Sequence, residues 1–172
     1  MTPRTLVLMR HAKAETPGDD PDFTRPLTTR GRSDADAAGA WLADEDLRPD
    51  LVICSPATRT RQTWHGVAVA LAQADPEAGA APEVHYDQSL YDGGRTEMID
   101  LLRGVADDVR TVLVVAHNPT VSQVSVLLRD DVDGRTVEGL KTAGLAVYKA
   151  DGPWSQTEPG GMALILTHTA RG

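Results

Sequence analysis

Cysteine is nearly absent: Cys54 is the only one in 172 residues. An intrachain disulfide is therefore excluded, and a reducing, cytoplasmic setting is expected. Aromatic residues make up only 4%, so a core has to come mainly from Leu, Val, Ile and Ala. Basic charge is in deficit as well, with 17 Lys and Arg against 25 Asp and Glu and a formal net charge of -8. That balance argues against a general affinity for nucleic acid or an anionic membrane, since both reward a basic surface field. A small anionic substrate stays open, provided that arginines converge locally. No apolar run approaches the length that crosses a bilayer, and the stretch Met1 to Met9 is cut off by Arg10 too early for a signal peptide. The HExxH and paired acidic spacings that hold catalytic metals are missing. Neither a metal nor another cofactor is expected.

What is present is ordinary in bulk and organised in detail. The length and the 41% apolar fraction are those of one globular domain over 1–172, with no internal repeat and no dividing linker. Thr5–Met9, Leu51–Cys54 and Thr111–Ala116 are apolar on both faces, the pattern of buried strands. Shorter candidates are Glu83–Tyr86, Leu145–Lys149 and Ala163–Thr167. Helical spacing recurs at Ala35, Ala38, Gly39 and Leu42, at Trp64, Val67, Ala68 and Leu71, at Met98, Leu101, Leu102 and Val105, and at Val121, Val124, Ser125 and Leu128. Asp34 falls off the first of these faces. Alternating strands and helices predict an α/β fold: a mostly parallel central sheet with helices on both faces and an antiparallel edge from the last two strands.

The three strongest strands all end in reactive residues. Arg10-His11 follows the first, Ser55-Pro56-Ala57-Thr58-Arg59 the second, and His117-Asn118-Pro119 the third. Parallel neighbours would open all three ends on one edge, where ligands of such sheets bind. Ser55-Pro56 and Asn118-Pro119 each resemble a helix cap followed by proline at the first helical position, which would aim free N–H groups at an anion. Two guanidinium groups at that address suit a phosphoryl group. A neutral imidazole can attack phosphorus in line and form a phosphohistidine that water later hydrolyses. The arginines would offset the charge, so no metal is needed. Cys54 does not supply a cysteine-phosphatase site, because that chemistry needs Cys-x5-Arg and Arg59 arrives one residue too early.

The string Leu6–Ala12 (LVLMRHA) resembles the Arg-His signature of the histidine phosphatase superfamily, the phosphoglycerate mutase-like fold. Asp22–Gly31 (DFTRPLTTRG) is similar to its following segment, and Ser55–Thr63 (SPATRTRQT) to its helix start. Ala116–Thr120 (AHNPT) is similar to its second-histidine segment in the small SixA-like branch. The resemblance implies that His11 is the phosphorylated nucleophile and that Arg10, Arg59 and His117 complete the phosphate pocket. It further implies that Asn118 orients His117 or donates through its backbone, and that Arg25 lines the entrance. One departure stands out: the region where many members keep a glutamate acid reads Ser89-Leu90-Tyr91-Asp92-Gly93-Gly94, with no glutamate before Glu97. Asp92 is the candidate acid, or the site has none. A phosphorylated imidazole leaves more easily than an alkoxide, so this departure favours a protein phosphohistidine substrate. The alternatives are a small-molecule phosphomonoesterase of the same superfamily and a catalytically silent phosphate-binding module.

Overall fold

The computed structural model describes residues 3–131 and 138–172. Among these residues the strands form one sheet in the order β3-β2-β4-β1-β5-β6, with β1 at Arg4–Arg10, β2 at Leu51–Cys54, β3 at Glu83–Tyr86, β4 at Thr111–Ala116, β5 at Gly144–Ala150 and β6 at Ala163–Thr169. Strands β1 to β4 are parallel to one another, while β5 runs antiparallel to both β1 and β6. The five helices described are α1 (Thr29–Asp44), α2 (Thr58–Ala74), α3 (Ser89–Asp92), α4 (Arg95–Arg103) and α5 (Thr120–Leu127). The predicted α/β architecture is what the chain adopts. None of the described helices is long and apolar enough to cross a membrane.

The runs apolar on both faces are explained by burial from both sides. Leu6, Leu8, Val112 and Val114 pack with Met98, Leu102, Val121 and Val124 on the face of α4 and α5. Val7, Met9, Leu113 and Val115 pack with Ala35, Ala38, Leu42, Val67 and Leu71 on the face of α1 and α2. Successive strand residues point to opposite faces, so each strand feeds both cores. Gly39 permits the close packing of α1 on α2: a Cβ there would lie 2.5 Å from the Val67 carbonyl oxygen, well inside contact distance.

Two local expectations are corrected. Neither Ser-Pro nor Asn-Pro is a cap followed by a first helical residue: the cap of α2 is Ala57 and the cap of α5 is Pro119 itself. Ser55 is instead held at the strand end, where its N–H donates to the Val115 carbonyl at 3.0 Å. Its side chain accepts from the Ala57 N–H at 3.4 Å, which uses residues 55–57 as the turn that precedes the helix. Asp34, placed off the apolar face by its charge, is buried at 1% exposure. Its carboxylate accepts from the Gly172 N–H at 2.9 Å and pairs with Arg171 at 3.6 Å and Arg30 at 3.8 Å. Buried charge is tolerated where it is paired in this way.

Candidate active site

Strand register brings the reactive residues together. Arg10 pairs with Ala116 and Cys54 with Val115, so His11, Ser55 and His117 each follow a strand end at one edge of the sheet. His11 donates its N–H to the Ala116 carbonyl at 3.1 Å, and the two imidazole centroids lie 5.3 Å apart. Arg59, in the first turn of α2, is buried at 6% exposure. The turn of α2 that follows fixes the surroundings. Thr63 Oγ1 accepts from the Ala12 N–H at 3.0 Å, and Gln62 Oε1 accepts from the Leu27 N–H at 2.7 Å. The Gln-Thr pair of the sequence motif therefore ties the end of β1 and the 25–28 segment to the helix that carries Arg59. The segment itself is sewn down where the Thr28 N–H donates to the Lys13 carbonyl at 2.9 Å. Gly31 is needed beside that carbonyl, since a Cβ would stand 2.1 Å from its oxygen.

Hydrogen bonding sets the state of each imidazole. The Nδ1–H of His11 donates to the Ala12 carbonyl at 2.7 Å, which leaves Nε2 with its lone pair free. Burial lowers the His11 pKa from 6.5 to about 4, helped by the positive fields of Arg59, Arg10 and Arg25 and opposed by the Ala12 bond. The pKa of His117 is pushed down to about 3 by burial and then by Arg59 and His11. Its Nε2 meets Ser55 Oγ at 2.7 Å. If the Ser55 hydroxyl donates to Nε2, the His117 proton lies on Nδ1. That Nδ1 is buried and has no partner among the described residues, as is true of the Nε of Arg10, Arg25 and Arg59. Unsatisfied buried donors are rare and costly. Arg10, Arg25 and Arg59 all act electrostatically on His11, so their unpaired nitrogens are candidates for holding an anion beside it.

The remaining candidates divide. Arg25 is brought in: it acts on both histidines electrostatically and donates to the Glu15 carbonyl at 3.0 Å. Arg10 donates to the Leu140 carbonyl at 3.3 Å. Asn118 does not orient His117 through its side chain, which donates to the Leu140 carbonyl at 3.0 Å and accepts from Ser122 Oγ at 2.5 Å. The orienting contact comes from Ser55. Asp92 is exposed and its carboxylate accepts from Gln88 at 3.4 Å, one turn earlier in the chain. No described contact ties it to either histidine; the α3 residue that meets His117 is its neighbour Tyr91, whose ring lies edge-on at 5.6 Å. Glu97 is occupied in accepting from the Gly94 N–H at the start of α4. Buried Cys54 has its thiol pushed up to about 12 by desolvation, which suits an inert core residue.

Asp22 carried no role in the sequence, although it opens the DFTRPLTTRG segment. It sits in a one-turn 3-10 helix at Asp22–Thr24. Its Oδ2 accepts from Arg59 at 3.0 Å and from the Tyr91 hydroxyl at 2.8 Å, and its Oδ1 from Arg25 at 3.0 Å. Among the described residues no group of three or more His, Cys, Asp or Glu is arranged to hold a metal ion.

These protonation states carry a kinetic expectation. Nucleophilic attack needs unprotonated Nε2, and the lowered His11 pKa means that protonation sets in only as pH falls through about 4. With substrate ionisation factored out, kcat/KM is expected to stay level from neutral pH to about 5 and to fall only below about 4. An acid limb near 6.5, the value of an unperturbed imidazole, would contradict the site as described.

A model of the histidine phosphatase superfamily (branch 1) matches residues 6–87. The uncharacterized protein Rv1276c of Mycobacterium tuberculosis is 37% identical over 169 residues, covering 95% of this chain and 100% of its own length. A solved structure from Nakamurella multipartitia, provisionally named a phosphohistidine phosphatase SixA, is 34% identical with a TM-score of 0.82, covering 99% of this chain and 98% of that one. A structure from Agrobacterium tumefaciens under the same provisional name has a TM-score of 0.73 at 26% identity, covering 96% and 97% of the two chains. Likeness over the whole length, at this identity, decides the family: the chain belongs to the histidine phosphatase superfamily, in its SixA-like branch.

Proposed function

We propose that the protein is a protein phosphohistidine phosphatase that works through a covalent phosphohistidine on His11. The observation that carries the reading is the state of His11. It is a neutral, buried imidazole with Nδ1–H engaged and Nε2 free, and the electrostatic influence of three arginines reaches it. A phosphate-binding module has no use for such a nucleophile. In the first step Nε2 attacks phosphorus, and Arg10, Arg25, Arg59 and the Nδ1–H of His117 stabilise the equatorial oxygens. In the second, water attacks the phosphoryl group and His11 leaves as neutral imidazole. The guanidinium groups supply the positive charge that a metal supplies elsewhere, so the reaction needs no metal. A reducing compartment is its setting, a reading that rests on the single cysteine.

Phosphohistidine is favoured over an alkyl phosphate because the Asp92 carboxylate is engaged by Gln88 and, among the described residues, no carboxylic acid contacts either histidine to protonate an alkoxide. Names given to the two SixA-like structures point the same way. The test compares kcat/KM on a phosphohistidine peptide with a panel of sugar, nucleotide and aryl phosphates, in EDTA. A preference of about tenfold or more, equal to about 1.4 kcal/mol of transition-state discrimination, is the expected result. Preference for one metabolite overturns the substrate assignment, and loss of all activity in EDTA overturns the metal-free mechanism.

A further inference from the structure

Asp22 is out of place in a site built for anions. Its carboxylate occupies the open fork of Arg59, with Oδ2 at 3.0 Å and its own backbone carbonyl accepting from the second nitrogen at 2.9 Å. Like charge beside a bound phosphoryl group weakens the binding of an ordinary phosphoester. The same carboxylate becomes favourable if the group being cleaved off is itself cationic. The surroundings of Asp22 fit a flat leaving group. Phe23, the one phenylalanine of the chain, meets the Tyr91 ring edge-on at 5.0 Å, and Tyr91 in turn reaches His117. Carboxylate and aromatic pair stand together at the entrance, and the Asp22 side chain is 51% exposed.

We propose that Asp22 is a specificity-determining residue that receives the leaving imidazole of a phosphohistidine substrate, accepting a hydrogen bond from the ring nitrogen that does not carry phosphorus. This rests on the phosphohistidine reading above. The substrate ring is then held in its protonated, imidazolium form, lying against Phe23 and Tyr91. When His11 Nε2 attacks, the P–N bond breaks and its electron pair passes into the imidazolium. The ring departs as neutral imidazole and keeps the proton on its far nitrogen. No proton has to reach the breaking bond, which fits the lack of a carboxylic acid against the histidines among the described residues. The Tyr91 hydroxyl, followed by Arg25 and Arg59, holds the Asp22 carboxyl down to about 2, so at neutral pH it accepts hydrogen bonds and donates none. A carboxylate offers about four acceptor positions, and three are taken by Arg25, Arg59 and Tyr91. One remains for the substrate.

Asp22→Asn keeps the shape and removes the charge, and its place in a half-exposed turn makes misfolding easy to check by thermal melting. The experiment measures kcat/KM for phosphohistidine and for p-nitrophenyl phosphate, in wild type and variant, across pH. Expected is a fall of tenfold or more in the ratio of the two, with the alkaline limb for phosphohistidine moving to lower pH in the variant. Asp22→Glu should recover part of the ratio. Parallel losses on both substrates, or an unmoved limb, overturn the assignment and leave Asp22 as a mere holder of Arg59. Wild type that fails to turn over phosphohistidine at all overturns the substrate reading instead, so the two failures are told apart.

Discussion

Replacing His11 with alanine is expected to lower kcat by about 10⁴-fold or more, the order seen when a covalent nucleophile is deleted. The size follows from the lack of a substitute. His117 has its Nε2 engaged by Ser55 at 2.7 Å, and Cys54 is buried with its thiol far from ionisation. Water alone would have to attack, and the pocket would stabilise that reaction only through its charge. Quenched-flow labelling gives a second reading. Wild type should accumulate an acid-labile, base-stable phosphoenzyme, and the variant should show none. Unchanged melting temperature is needed to assign the loss to chemistry, since His11 is buried at 7% exposure. Turnover within tenfold of wild type would sink the covalent mechanism.

For Arg59→Ala the expected loss in kcat/KM is about 10²–10³-fold, typical of removing one donor from a preorganised anion site. Most of it should appear in kcat, because charge on the equatorial oxygens peaks during transfer. Arg59→Lys should recover only part, as lysine restores a point charge without the fork. Arg59→Ala also removes a hydrogen bond that holds down the Asp22 carboxyl, so Asp22 should titrate at higher pH in the variant. Carboxyl chemical shifts followed by NMR would report this independently of activity. A loss below tenfold would mean that Arg10 and Arg25 suffice.

Strand ends were the legible part of this chain. Apolar runs at 51–54 and 111–116 coincide with β2 and β4, and the residues just beyond them meet as expected, because parallel register is a strong constraint. Helix starts were less legible. Ser55-Pro56 satisfies a statistical preference for capping, yet Ser55 is needed as the partner of His117, and tertiary bonding overrode the local signal. Asp34 misled for a related reason: charge marks a residue as exposed unless the partners are visible, and Arg171 and Gly172 lie more than a hundred residues away. Asp22 and Tyr91 are 69 positions apart and meet through two single-turn helices. No periodicity encodes such a meeting. The available hint was an aspartate three residues before Arg25 in a segment already singled out, where i and i+3 side chains can pair.

The antiparallel addition of β5 gives β1 hydrogen-bonded neighbours on both sides. Amide protons of Leu6 to Met9 should therefore be among the last to exchange with deuterated solvent, reporting opening energies close to that of global unfolding. Asp22 and Phe23 hang from a single turn of 3-10 helix and belong at the opposite end of that scale. The nucleophile thus follows the best-protected strand, while Asp22 and Phe23 lie on a short turn fastened from outside by the side chains of Arg25, Arg59 and Tyr91.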